Sequence, residues 1–140
     1  MYEKVVSSIE NKKQILMFVY GHGGTGKTFL WTTIISTLRS GGKIVLAVAS
    51  SGIASLLLPS GRTAHSRFKI PLDLTNKSIC SISKNTQLAR LLSETALIIW
   101  DVAPMTDRRC FEALDKKLKD ILNEPTQPFG KINKADLELK

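Results

Sequence analysis

Apolar residues along this chain follow two patterns: continuous runs of strand length, and stretches in which they recur every three or four positions. The continuous runs lie within residues 15–20, 43–49 and 96–101. Short runs rich in β-branched residues are typical of parallel strands that helices cover on both faces. The pattern therefore predicts three buried strands.

Helical spacing in the remaining stretches predicts that helices alternate with these strands. A first amphipathic stretch, residues 1–14, places Val5, Val6 and Ile9 on one side. The later predicted helices cover residues 27–38, 53–58, 84–92 and 106–122, with a surface loop over 71–83. Strand–helix alternation indicates the α/β class, and a chain of 140 residues has room for one core rather than two.

The charge is the unusual part of the composition. Hydrophobic residues make up 43% and charged residues 23%, which is ordinary for a globular protein. However, 20 Lys and Arg against 12 Asp and Glu give a net charge of +8. Such a balance favours a polyanionic partner, either nucleic acid or an acidic membrane surface. A basic surface without such a partner is also common, so charge alone does not decide.

Cysteine usage and hydropathy indicate the compartment. Cys80 and Cys110 lie far apart in the sequence and form no Cys-x-x-Cys pair, which suits a reducing, intracellular environment. No signal peptide is visible, and no apolar run approaches the roughly 20 residues that cross a bilayer. We therefore expect a soluble intracellular protein with no membrane partner.

A glycine-rich turn between the first predicted strand and its helix matches the phosphate-binding pattern G-x-x-x-x-G-K-[ST]. Its sequence is Gly21-His22-Gly23-Gly24-Thr25-Gly26-Lys27-Thr28. Glycines let backbone N–H groups close around phosphate oxygens, and the helix start adds its positive dipole end. In this pattern Lys27 reaches the β- and γ-phosphates and Thr28 holds Mg²⁺. The predicted nucleotide-binding residues are Gly21, Gly23, Gly24, Thr25, Gly26, Lys27 and Thr28.

Asp101 ends the third apolar run, downstream of the phosphate-binding turn. An apolar strand ending in Asp is the usual form of a Walker B element, whose carboxylate holds Mg²⁺ through water. The alternative is a strand-end Asp that is simply exposed to solvent. We predict Lys27 and Asp101 as catalytic residues, and Thr28 and Asp101 as the metal-binding pair.

Polar residues after the second predicted strand allow two interpretations. Ligands of parallel sheets lie at the carboxyl ends of the strands, which favours a functional loop at residues 50–52. The same residues could equally be an N-cap for the next helix. Further on, Phe68 stands among Arg62, Arg67 and Lys69, a combination that can hold single-stranded nucleic acid. A single Phe is, however, more often part of a core.

Three stretches together resemble the Pif-type (petite integration frequency) branch of superfamily-one DNA helicases, with the nearest likeness to plant forms related to Helitron transposons. The first stretch is the phosphate-binding turn with Phe29 and Leu30. The second joins residues 47–54 to residues 61–68, and the third joins residues 98–101 to Ala103-Pro104-Met105. The resemblance covers roughly residues 10–130, and the joint spacing is specific.

The resemblance implies a RecA-like P-loop NTPase fold, with ATP and Mg²⁺ as cofactors and single-stranded DNA as the partner. It also implies five-prime to three-prime unwinding, a nuclear location, and roles in repair, recombination and telomere upkeep. It indicates no protein partner. Carried onto this chain, the residues implied to lie along DNA are Ser50, Ser51, Gly52, Thr63, His65, Ser66, Arg67 and Phe68.

Val102 departs from the family pattern, which has Glu directly after the Walker B Asp. That Glu polarises the attacking water, and an isopropyl group cannot accept a proton. Loss of a positioned general base typically lowers the rate by ~10²–10⁴. We expect nucleotide binding without efficient hydrolysis, so a non-catalytic nucleotide- and DNA-binding module, or an inactive transposon remnant, is the alternative function.

The last ten residues depart as well. The family has a doubly buried central strand after residue 130, followed by a second RecA-like domain with arginine fingers. Residues 131–140 alternate charges with Ala135, Leu137 and Leu139, so this tail could make a half-exposed strand, but a doubly buried central strand should not show that pattern. We therefore divide the chain into a partial ATPase domain, 1–130, and a divergent polar tail, 131–140. We expect a truncated chain that does not unwind DNA alone.

A match to the guanine-reading motif N-K-x-D occurs at Asn133-Lys134-Ala135-Asp136. In GTPases this motif should follow a buried apolar strand, and the residues before Asn133 make a poor one. The GTPase pattern D-x-x-G also fails, because Pro104 stands three places after Asp101. We interpret the match as chance.

Overall fold

Helices cover both faces of one parallel sheet, as the alternation of apolar runs and helical stretches predicts. The structure, a computed structural model, describes residues 2–10, 16–20, 27–56, 58–102, 107–131 and 133–138. Its helices are α1 (Tyr2–Glu10), α2 (Lys27–Ser40), α3 (Gly52–Ser55), α4 (Ala64–Phe68), α5 (Gln87–Ser93) and α6 (Arg108–Leu122). Its strands are β1 (Leu16–Tyr20), β2 (Ile44–Ala49), β3 (Arg62–Thr63), β4 (Thr95–Val102) and β5 (Asn133–Glu138).

The order of the strands brings their carboxyl ends to one edge. Within the described part of the chain the order is β1-β5-β4-β2-β3, and the pairs are all parallel. Tyr20 and Val102 both pair with Glu138, and Asp101 pairs with Ala49. The strands predicted at residues 15–20, 43–49 and 96–101 are therefore confirmed, and β1, β2 and β4 end at the same edge of the sheet. α1 confirms the first predicted helix.

The prediction that residues 131–140 leave the centre of the sheet without a strand is wrong. β5 lies between β1 and β4 and pairs with both of them. Charged side chains in this segment led to the prediction, but strand pairing is made by backbone N–H and C=O groups. The N-K-x-D match also falls inside β5, where it is part of the ladder rather than of a loop after a strand.

Two cores form on the two faces of the sheet. Odd-numbered residues of β2 and β4, such as Ala47 and Ile99, pack with α1 and α2 through Val5, Trp31 and Ile35. Even-numbered residues, such as Val48 and Trp100, pack with α4, α5 and α6. This alternation follows from the two-residue period of a strand. Both faces of β2 and β4 are apolar because helices cover both.

Two glycines are required by the backbone. Gly42 has φ +79° and ends α2: its N–H donates to the Arg39 carbonyl, while the Lys43 N–H donates to the Leu38 carbonyl. These two bonds form a Schellman motif, in which the residue after the helix takes the left-handed conformation that glycine adopts without strain. At Gly61, a Cβ would lie 2.4 Å from the Ser55 carbonyl oxygen, so α3 can approach β3 this closely only with glycine there.

Three of the remaining helices are close to their predictions, whereas the sequence pattern predicts no helix where α4 lies. α6 begins at Arg108 and buries Leu114 and Leu118, as its spacing predicts. α3 is shorter than predicted and includes only Gly52–Ser55. α5 starts three residues later than predicted, at Gln87, where Thr86 forms its N-cap. Of the helices that the structure describes, none combines the length and apolar character that a membrane span requires.

Candidate nucleotide and nucleic-acid site

The phosphate-binding turn connects β1 to α2. Gly21, Gly23, Gly24, Thr25 and Gly26 lie outside the described residues, whereas the backbone is described up to Tyr20 and again from Lys27. α2 therefore begins at Lys27, directly after the glycines, as a phosphate-binding helix must. Both flanks of the turn are where the motif needs them.

Asp101 lies on the sheet face that α2 covers. Leu97 and Ile99 of the same strand belong to the core formed with α2, and the two-residue period puts Asp101 next on that face. It pairs with Ala49 on one side and with Leu137 on the other. The carboxylate thus stands at the carboxyl edge of the sheet, on the same face as the helix that opens with Lys27.

Ser50 and Ser51 hold the end of β2 in place. The Ser50 N–H donates to the Asp101 carbonyl over 3.2 Å, so the two strand ends stay joined beyond the ladder. Ser51 is the N-cap of α3, and its Oγ accepts from the Ala54 N–H at 3.2 Å. Of the two interpretations left open by the sequence, the N-cap is therefore confirmed for Ser51.

Thr63 and Ser66 belong to a second capped helix on the same edge. Thr63 pairs with Ala49 in the sheet, and its Oγ1 accepts from the Ser66 N–H at 3.3 Å. α4 therefore starts at the carboxyl end of β2, beside α3. His65 lies on the inner side of α4, with Nε2 3.9 Å from Sγ of Cys110 on α6.

Phe68 corrects the prediction for this stretch. Its side chain is 0% exposed and its ring lies 5.7 Å from that of Trp100, centroid to centroid. A ring buried in the core cannot stack on a base, so the predicted DNA contact of Phe68 is wrong. The hydrophobic effect decides the outcome, because burying an apolar ring is favourable, whereas burying the charge of a flanking basic side chain would cost desolvation free energy.

The exposed charge on this edge is basic. Arg67 is partly buried, and this burial, together with the nearby Arg62, lowers the pKa of its guanidinium. Among the described residues, the ion pairs of the protein involve neither guanidinium. Two neighbouring cations without a carboxylate favour an anionic ligand. Arg62 is a cation that is not among the DNA-contacting residues implied by the resemblance.

The oxygens predicted to bind a metal come from separate elements. The described residues contain no group of three or more His, Cys, Asp and Glu that could hold a metal ion. Mg²⁺ does not need one, because it is usually bound by one or two protein oxygens together with phosphates and water. The hydroxyl of Thr28 and the carboxylate of Asp101 are donors of the type Mg²⁺ prefers. Their residues stand at the start of α2 and the end of β4.

Sequence reasoning missed the contact between Ser50 and Trp100. The indole Nε1–H donates to the Ser50 Oγ over 3.4 Å. Tryptophan directly before the strand-end Asp was the available signal, but the partner lies 50 residues away in sequence. The contact links the end of β4 to the residue that follows β2. Beyond that residue lie α3 and α4, and we call the surface formed by residues 50–55 and 62–68 the α3–α4 edge.

Comparison with known proteins extends these observations. A family model described as PIF1-like helicase matches residues 1–134. The ATP-dependent DNA helicase Pif1 of Psychrobacter sp. (strain PRwf-1) is 31% identical over 118 residues, covering 83% of this chain and 18% of its own length. The ATP-dependent DNA helicase RRM3 of Saccharomyces cerevisiae is 32% identical over 136 residues, covering 93% of this chain and 18% of its own length.

Solved structures share the fold. The Pif1 helicase from Candida albicans superposes with a TM-score of 0.76 at 27% identity, covering 97% of this chain and 31% of its own chain. The Bacteroides Pif1 helicase in complex with ADP-AlF3 and ssDNA has a TM-score of 0.78 at 25% identity, covering 97% and 30%. The chain thus spans about a third of these structures and a smaller part of the curated relatives.

Proposed function

The chain belongs to the PIF1-like helicase family, and on that premise we propose that it forms the nucleotide-binding, RecA-like part of an ATP-dependent DNA helicase. The observation that supports this most is the common edge of the sheet. Lys27 opens α2, Asp101 lies one residue before the end of β4, and Ser50 follows β2. A triphosphate site and a nucleic-acid site then lie side by side on one domain.

In this proposal ATP supplies the phosphoryl group, and the residues of the chain bind and orient it. The backbone amides of residues 21–28 hold the phosphates, with Lys27 on the β- and γ-phosphates. Thr28 and Asp101 hold Mg²⁺. The sheet face that Asp101 shares with α2 supports this pairing, because Leu97 and Ile99 of the same strand pack against the helix on which Thr28 is the second residue.

The nucleic-acid side of the proposal involves α3, α4 and β3. The Bacteroides Pif1 structure contains ADP-AlF3 and ssDNA, and we propose the same ligand classes here. Arg62 and Arg67 supply positive charge, while Ser50, Ser51 and Thr63 lie at the strand and helix ends beside them. Five-prime to three-prime direction, the Helitron-related form, a nuclear location and roles in repair, recombination or telomere upkeep stay predictions from the resemblance.

Val102 favours a second candidate function. Without a carboxylate after Asp101, the chain binds nucleotide and single-stranded DNA but hydrolyses ATP only weakly. This non-catalytic binding module differs from the motor domain in turnover, not in ligands. The two functions therefore share one binding experiment and separate in an ATPase assay.

Fluorescence anisotropy of a labelled oligothymidylate tests the nucleic-acid part. We expect binding that weakens steeply with salt, because neutralised phosphates release counterions. Arg67→Gln should lower affinity and reduce the slope of log K against log salt by about one. Arg90→Gln is the matched control, because Arg90 is an exposed arginine on α5, the helix that leads to the opposite, amino end of β4.

Two results would contradict this part of the proposal. One is the absence of binding to folded protein at low salt. The other is an equal loss of affinity in Arg67→Gln and Arg90→Gln, since only total charge would then matter.

A further inference from the structure

Ser50 forms hydrogen bonds with two consecutive residues near the end of β4. Its Oγ accepts from the indole N–H of Trp100 over 3.4 Å, and its own N–H donates to the Asp101 carbonyl over 3.2 Å. Trp100 and Asp101 lie on opposite faces of the sheet. Ser50 therefore links Trp100, which packs on the face covered by α4 and α6, to Asp101, the residue that would hold the metal.

The Trp100 ring is held between two helices. Its centroid lies 5.7 Å from that of Phe68 at the end of α4 and 4.4 Å from that of Phe111 on α6. Trp100 and Phe68 are both 0% exposed. Because interiors are close-packed, α4 cannot move relative to the sheet without displacing the indole. Any displacement of the indole is transmitted to Ser50 and to the end of β4.

We propose that Trp100 and Ser50 are positioning residues that couple binding of single-stranded nucleic acid at the α3–α4 edge to binding of Mg-nucleotide at Asp101. The inference rests on the proposed function. On one side, α4 carries Arg67, and Ser51 caps α3; on the other, Asp101 lies one residue before the end of β4. Coupling between two sites is reciprocal, so each ligand should tighten the other by the same factor.

The test measures the affinity for a fluorescent, non-hydrolysable ATP analogue with Mg²⁺, with and without saturating oligothymidylate. In the unmodified protein we expect the oligonucleotide to tighten nucleotide binding by on the order of fivefold or more. Trp100→Phe retains an aromatic ring between Phe68 and Phe111 and removes the indole N–H. Ser50→Ala removes the acceptor. Each substitution should lower the ratio of the two affinities by a similar factor, because each removes the same hydrogen bond.

A double variant separates this bond from two independent effects. If the Trp100–Ser50 bond carries the coupling, combining both substitutions lowers the ratio no further than either one alone. Trp31→Phe is the matched control. Trp31 is equally buried, but in the core on the other face, and its indole N–H has no hydrogen-bond partner among the residues described. Its ratio should equal that of the unmodified protein.

The outcomes are distinguishable from failure of the proposed function. No binding of the analogue to folded protein, with or without DNA, would reject the nucleotide site itself. Binding with a ratio of one in the unmodified protein would overturn the coupling and leave the nucleotide site intact. A ratio that stays high in Trp100→Phe, confirmed as folded by a thermal melt, would also overturn it.

Discussion

In the proposed function, some residues at the carboxyl edge of the sheet bind the nucleotide, and one further position would have to supply the base for hydrolysis. In the proposed site, Lys27, Thr28 and Asp101 would provide a cation, a hydroxyl and a carboxylate to hold Mg-triphosphate. Val102 follows Asp101 where the family pattern has Glu. An aliphatic side chain leaves the attacking water without a base. Binding and turnover are therefore expected to separate at this one position.

Val102→Glu should raise ATP turnover, because it restores a proton acceptor after Asp101. The gain is at most ~10²–10⁴, the usual contribution of general base catalysis. A coupled ATPase assay, with and without single-stranded DNA, measures it. Val102→Gln introduces a side chain of nearly the same size as Glu that cannot accept a proton, so its turnover should stay as slow as that of the original protein. Equal turnover in the Val, Gln and Glu forms would show that this position does not limit hydrolysis.

Phe68 belongs to the core, so its loss should affect stability. Phe68→Ala should lower the free energy of unfolding by about 3–5 kcal/mol, the usual cost of removing a buried aromatic ring. Phe68→Leu fills part of the space and should lower it less. Urea denaturation followed by circular dichroism measures both. Unchanged stability together with weaker DNA binding would instead place the ring on the DNA surface.

At the scale of elements, α6 is tied to the long loop before α5. Asp107 is its N-cap, accepting from the Arg109 N–H at 2.9 Å, and also receives the Arg109 guanidinium, with Nη2 2.7 Å from Oδ2. Nη1 of Arg109 donates to the Leu74 carbonyl at 2.8 Å, and Lys116 Nζ donates to that of Asn76 at 2.6 Å. These contacts order a loop that carries no regular element of its own.

The cap should make stability depend on pH. Hydrogen bonds from the Arg109 side chain and backbone lower the pKa of Asp107 from 3.8 to about 2. A lowered pKa means that the ionised group stabilises the folded state above about pH 4, and that this contribution is lost as the pH falls towards 2. Asp107→Asn keeps a cap oxygen but cannot ionise, so its melting temperature should be lower at pH 7.

The quantity to follow is the difference in melting temperature between the original protein and Asp107→Asn. It should be constant above pH 4 and shrink between pH 4 and pH 2, as measured by thermal melts monitored by circular dichroism. Glu94→Gln, a carboxylate removed from the exposed end of α5, controls for general charge effects. A gap between the original protein and Asp107→Asn that does not change with pH would contradict ionisation of Asp107 as its cause.

Local elements were predictable from sequence where their signals were local. The phosphate-binding helix and the Asp101 strand each combine a short motif with a matching hydrophobic pattern. β5 was not predictable in the same way, because we expected a central strand to be apolar on both faces and Lys134 and Asp136 are charged. The Trp100–Ser50 bond and the burial of Phe68 depend on strand order, which no single stretch of sequence encodes.

At the scale of the whole molecule, the parallel sheet is what turns these separate motifs into one site. The strand order brings the ends of β1, β4 and β2 to a common edge, with β5 between the first two. α2 and Asp101 share one face, and Trp100 packs on the other. The same arrangement agrees with the TM-score of 0.78 to the Bacteroides Pif1 helicase in complex with ADP-AlF3 and ssDNA.

Calorimetric titration of Mg-ATP into the folded protein examines the triphosphate site itself. We expect measurable heat with a single site, and its loss in Lys27→Ala, because the lysine that meets the β- and γ-phosphates is gone. Lys43→Ala, an exposed lysine outside the turn, removes the same charge and should leave the heat unchanged. Protein that melts cooperatively yet gives no heat with any adenine or guanine triphosphate would contradict the nucleotide site, and so would Lys27→Ala binding as tightly as the original.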